Sequence, residues 1–133
     1  MPEDTSHPDR TEYQRWHGLT IDSVANGVAT ARIPYDEKLT NPFGVVNGAV
    51  IAALVDVASG AVLRQGFDNP REGYLATVEM DLKYLQPAAD DLTAEVRAVH
   101  AGETIGVTQA TVEAGNVEDP VAIGSTVYRL FRG

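Results

Sequence analysis

Cysteine is absent from the 133-residue chain. That excludes disulfides, thiolate metal sites and a cysteine nucleophile, and it leaves the redox compartment unmarked. Lysine is nearly absent too: only Lys38 and Lys83 stand among 10 basic residues, against 19 acidic ones, for a formal net charge of −9. Phosphate binding needs a basic surface, so no nucleic-acid partner is expected and an anionic ligand has to find a local patch. The same acidic, lysine-poor balance is compatible with a salt-rich source. Long apolar runs are scarce. The longest, Gly48 to Leu63, contains an aspartate and is shorter than the about 20 apolar residues that span a bilayer. The opening MPEDTSHPDR has neither a basic leader nor an apolar core, so the expectation is a cytoplasmic chain with no membrane partner. None of the histidines, His7, His17 and His100, stands at metal-ligand spacing, and no metal is expected. No serine-centred nucleophile elbow or phosphate-cradling glycine loop is visible.

What is present is a change of period along the chain. Residues 1–7 show no apolar period and are expected to form a mobile tail, followed by a single domain over 8–133. Pro8 to His17 reads as a short helix with Tyr13 and Trp16 on one face. Leu19 to Val24 and Val28 to Tyr35 alternate loosely around Asn26-Gly27, a strong hairpin signal. Asp36 to Val46 reads as a loop. Asn47 to Gln65, NGAVIAALVDVASGAVLRQ, opens with a good N-cap in Asn47 and is apolar on nearly every side, which predicts a buried helix. After the turn-forming stretch Gly66 to Gly73 the period returns to two. There Val78, Met80, Leu82 and Tyr84 alternate with Glu79, Asp81 and Lys83, which puts Thr77 on the polar face. Leu92 to His100, Thr104 to Ala114 and Val121 to Phe131 are further strands with hairpin-length separators. One buried helix among about six antiparallel strands is best satisfied by a single sheet curled around it, an α+β arrangement.

Asp56 is the only charged residue between Asn47 and Leu63. Burial disfavours a charged carboxylate, so a protein that keeps one in its central helix either uses it or pairs it structurally, with an arginine or as a loop cap. Gly48 follows the cap, where the first helical amides lack intrahelical acceptors and lie at the positive end of the dipole. That end can hold a developing oxyanion, or the glycine is small to let elements pack. Asp56 lies about 12 Å further along the same axis at 1.5 Å per residue. The two cannot grip one carbonyl within one chain, whereas antiparallel helices across a two-fold axis would bring them together.

Asn41 to Asp56, NPFGVVNGAVIAALVD, resembles the signature of the PaaI-like branch of hotdog-fold thioesterases. That signature has an asparagine, a short glycine-containing loop, His-Gly-Gly, and an aspartate nine positions after the histidine. TVEMDLKYLQPA is similar to the family's strand ending in a Tyr-x-x-Pro-Ala turn, and the likeness covers Gly18 to Phe131. It implies a hotdog fold of five to six strands and hydrolysis of an acyl-CoA (short-chain, medium-chain or aryl) to free acid and CoA. No separate cofactor is implied, because coenzyme A is part of the substrate. The catalytic aspartate falls on Asp56, the oxyanion-hole glycine amide on Gly48, the loop asparagine on Asn41 and the water-positioning hydroxyl on Thr77. The resemblance further implies a homodimer assembling to a homotetramer. Asn47 replaces the family's histidine; it cannot titrate but can still donate a hydrogen bond through its amide, and with Asn41 it is expected to serve catalysis by orienting the thioester carbonyl and the carboxylate. Ala49 replaces the second glycine, and Gly102-Glu103 the hairpin's Gly-Arg. The loss of the histidine motivates the alternative of a non-catalytic acyl-CoA-binding module. A hydratase ranks lower, since such enzymes usually place a histidine with the carboxylate. Trp16, Phe43 and Tyr84 are pocket-lining candidates, and Lys83, Arg97 and Arg129 are candidates for the CoA phosphates.

Overall fold

The computed structural model describes residues 10–132. The expected mobile tail, residues 1–7, lies outside the described residues, as does the start of the expected first helix, which is seen as α1, Glu12–His17. The strands follow as β1 Thr20–Ala25, β2 Val28–Ile33, β3 Tyr74–Tyr84, β4 Leu92–Ala101, β5 Ile105–Ala114 and β6 Ala122–Phe131, with the long helix α2, Gly48–Arg64, between β2 and β3. They form one antiparallel sheet in the order β1-β2-β4-β5-β6-β3, curled around α2. This is the hotdog architecture.

Local chemistry sets the element ends. Asn26 and Gly27 both take positive φ, 54° and 74°, as the tight turn between β1 and β2 requires. Gly73 opens β3 at φ 85°, where a Cβ would come within 2.6 Å of the Phe131 carbonyl oxygen, so no larger residue fits there. Asn47 occupies the N-cap position of α2, as expected, but its side chain makes no capping hydrogen bond.

The core lies between α2 and the concave face of the sheet. Leu54, Val55, Ala58, Val62 and Leu63 of the helix pack on Ala29, Ala31, Ala94, Val96, Ala110 and Val112. Small residues on the strands let the helix approach closely, and each fully buried Val or Leu contributes about 1.5–3 kcal/mol. Three buried hydroxyls tie the helix in place. Ser59 Oγ lies 2.9 Å from Thr108 Oγ1, which lies 2.5 Å from Thr126 Oγ1.

Two expectations need correction. The helix is not buried all round: Ala49 is exposed and Ala52, Asp56 and Gly60 are only half-buried. Spaced three or four residues apart, they form one strip, because a single concave sheet covers one side of the helix and leaves the other open. Nor does β3 keep a strict period of two. Its register with β6 shifts between Thr77 and Glu79, leaving Val78 as the extra residue of a β-bulge. Cross-strand partners share a face. Thr77 is opposite the buried Tyr128, and beyond the bulge Met80 is opposite the buried Thr126. Thr77 therefore points to the helix side together with Met80 and Leu82, and Val78, expected inward, is 62% exposed.

Candidate active site

Asp56 projects from the middle of α2 along the uncovered strip, facing the Thr77 end of β3 and Tyr128 of β6. The Thr77 hydroxyl donates to Asp56 Oδ1 at 2.8 Å. The Tyr128 hydroxyl reaches the same Oδ1 and lies 2.7 Å from the Asp56 main-chain oxygen. Burial, and then the adjoining Asp56 carboxylate, push the Tyr128 phenol well above its ordinary value, so it remains a hydrogen-bond donor at any working pH. The bulge at Val78 delivers the Thr77 hydroxyl to this point, and the expectation that Thr77 lies on the polar face is overturned.

Among the described residues no arginine pairs with Asp56 and its side chain caps no loop; its partners there are two neutral hydroxyls. The sequence does not mark Tyr128 as a site residue, because Thr126, Tyr128 and Leu130 alternate like any core strand. The available signal was the phenol itself, since a buried tyrosine hydroxyl needs a polar partner.

At the start of α2, Gly48 is exposed and lies under Tyr84. The Tyr84 hydroxyl donates to the Gly48 carbonyl oxygen at 2.8 Å, and a Cβ on Gly48 would sit 3.3 Å from the Tyr84 ring. Close packing thus gives Gly48 a reason to be small whatever its amide does. Half-burial raises the Tyr84 phenol, though less than that of Tyr128.

Asn41 and Asn47 stand near this end without contacting Asp56. Asn41 Oδ1 accepts from the main-chain amides of Phe43 at 2.8 Å and Val45 at 3.1 Å and so shapes its own turn. Asn47 Nδ2 donates to the Leu39 carbonyl oxygen at 3.3 Å. Of the aromatic candidates, Tyr84 meets the helix start, Phe43 stands 87% exposed at the tip of the Asn41 turn, and Trp16 lies beneath the Lys38 ammonium. Lys83 pairs with Asp81 at 3.2 Å, Arg97 approaches Glu95 at 3.9 Å, and the Arg129 guanidinium lies over Phe131. A depression of about 360 Å³ lined by Asp81, Lys83, Gln109, Thr111, Ile123 and Ser125 opens on the sheet face away from α2, apart from Asp56. Among the described residues no helix is long and apolar enough to cross a membrane, and no three His, Asp or Glu side chains gather as a metal site.

An antiparallel sheet curled around one long helix is the frame that thioesterases of the hotdog fold share. The chain belongs to the thioesterase superfamily, whose family model matches residues 43–128, a span that runs from the Asn41 turn through Asp56 to Tyr128. It is 35% identical to a Halobacterium salinarum protein provisionally described as an esterase, over 86% of this chain and 82% of that one. It is similar to the solved structure of a conserved Pseudomonas aeruginosa protein, at 28% identity and a TM-score of 0.83, over 92% of this chain and 95% of that one. A thioesterase family protein from Silicibacter pomeroyi shares the fold, with a TM-score of 0.84 at 24% identity, covering 92% and 91% of the two chains.

Proposed function

We propose that the chain is a cytoplasmic acyl-CoA thioesterase of the PaaI-like kind, acting on a short-chain, medium-chain or aryl acyl-CoA. One observation carries this: a carboxylate in the middle of α2, on the strip the sheet leaves open, held by hydroxyls and paired with no counter-charge among the described residues. Asp56 takes a proton from water as that water attacks the thioester carbonyl, or attacks the carbonyl itself to give a mixed anhydride that water then hydrolyses. The negative charge that develops on the carbonyl oxygen falls on the amide of the partner subunit's Gly48 at the start of an antiparallel α2, and collapse expels the CoA thiolate. Two features support sharing the site: the length of helix between Gly48 and Asp56, and the uncovered strip of small residues around Asp56. The reading includes a homodimer that pairs into a homotetramer. Asn41 shapes the loop before the helix, and no cofactor beyond the substrate's own coenzyme A takes part.

The test is thiol release from a panel of short, long and aryl acyl-CoAs, with Asp56→Asn beside the wild type. Asp56→Asn is expected to keep its melting temperature and lose kcat by about 100-fold or more, the scale of general-base catalysis. Retention of more than about a tenth of wild-type kcat rejects Asp56. A second reading, acyl-CoA binding without hydrolysis, is favoured by Asn47 in the place of the family's histidine, with its amide turned to Leu39. Saturable acyl-CoA binding without thiol release would select it.

A further inference from the structure

The fold treats the two oxygens of Asp56 differently. Thr77 and Tyr128 both direct their hydroxyls at Oδ1, one from β3 and one from β6, and among the described residues nothing bonds to Oδ2. A carboxylate oxygen has about two lone-pair sites, so two hydroxyl donors fill Oδ1. Water or a thioester carbon arriving at the carboxylate therefore meets Oδ2. We infer that Tyr128 is the positioning residue of this carboxylate, fixing Oδ1 together with Thr77 so that Oδ2 is the oxygen that takes the proton or attacks. The inference rests on the thioesterase reading above.

Packing alone does not account for the arrangement. The phenol has one proton, and of the two acceptors within its reach, the Asp56 main-chain oxygen at 2.7 Å and Oδ1, the ionised carboxylate is the stronger and takes it. The additional approach to the carboxylate brings side chains 72 residues apart in sequence together across the helix–sheet boundary. Tyr128 is also the only titratable group hydrogen-bonded to Asp56 among the described residues. Glu79, Asp81 and Lys83 of β3 and Arg129 of β6 leave from the opposite sheet face. On α2 the one other charged residue is Arg64, two turns on, and it bonds the carbonyl oxygens of Pro70 and Gly73. The residues that β2, β4 and β5 turn to the helix are aliphatic or glycine apart from Thr108, and none is charged.

Tyr128→Phe removes the donor and keeps the ring. The expected result is a kcat lower by roughly 10- to 100-fold, as for one hydrogen bond to a charged group, with KM within about two-fold. A lost donor to the anion favours the protonated acid, so the acid limb of the kcat/KM profile moves to higher pH. Site-specific fluorotyrosine at position 128, a stronger donor, moves the limb the opposite way, and Thr77→Val gives a smaller shift in the same sense as Tyr128→Phe. The Asp56 carboxyl-carbon NMR signal, assigned by its loss in Asp56→Asn, reports the same order of titration midpoints without any substrate. A folded Tyr128→Phe with wild-type kcat and an unmoved midpoint overturns the inference. If Tyr128→Phe does not fold, the fluorotyrosine and Thr77→Val proteins decide in its place. Absence of turnover in the wild type defeats the thioesterase reading instead, and the NMR midpoints then judge the role of Tyr128 alone.

Discussion

A helix N-cap stabilises when its side-chain oxygen accepts an amide from the first turn, whereas Asn47 sits at the cap of α2 and sends its amide back to the Leu39 carbonyl oxygen. That oxygen also accepts the Asn47 main-chain amide at 2.9 Å, a bond that survives truncation of the side chain. Asn47→Ala is therefore expected to cost under about 0.5 kcal/mol, less than the about 1 kcal/mol of a lost cap. A chemical-denaturation curve checks this, and a full 1 kcal/mol loss would mean that the side chain caps the helix in solution. Any fall in kcat in a protein of unchanged stability would give Asn47 a direct part in turnover. Individual residues were unevenly legible. Asp56 announces itself as a lone charge in an apolar helix, while Tyr128 has the same alternation as its neighbours and gains meaning only when β6 is laid beside β3.

At the scale of elements, the limits of α2 were legible because Asn47, the apolar run and the turn after Gln65 all mark the same boundaries. The phase of β3 was not. A period-two pattern carries no sign of an inserted residue when the residue is an ordinary valine, so Val78 read as core and Thr77 as surface. The bulge is what turns Leu75 and Thr77 toward the helix while Met80 and Leu82 also face it. Deleting Val78 removes the extra residue and leaves a regular ladder in which Thr77, Glu79 and Met80 keep their partners Tyr128, Val127 and Thr126. The expected outcome is a sheet retained by circular dichroism, a stability change within about 1 kcal/mol because Leu75, Thr77, Met80 and Leu82 keep their faces, and thiol release reduced about 10-fold as loss of the local bend shifts the Thr77 hydroxyl from Asp56. Unchanged turnover in the deletion would show that the bulge has no bearing on the chemistry.

At the scale of the whole molecule, a site divided between two copies of α2 makes each subunit incomplete. Asp56→Asn chains mixed with chains damaged at the other half-site, by Asn41→Ala or a bulky substitution at Gly48, are expected to regain activity. Random exchange of equal amounts makes about half the dimers mixed, each with one intact site, so roughly a quarter of wild-type sites return. Co-refolding, thiol-release rates and a mass measurement of exchange read this out, and no recovery after confirmed exchange rejects the shared site. The strand order carries a different kind of consequence. β3 finds its ladder partner only in β6, 47 residues further from Tyr84 to Phe131. At about 5–20 residues per second of synthesis, β3 would wait roughly two to nine seconds for that partner. Thr77 and Asp56 would already be part of the chain during that interval, but Tyr128 would not yet exist, so the carboxylate would acquire its final setting only as the last strand closes the sheet.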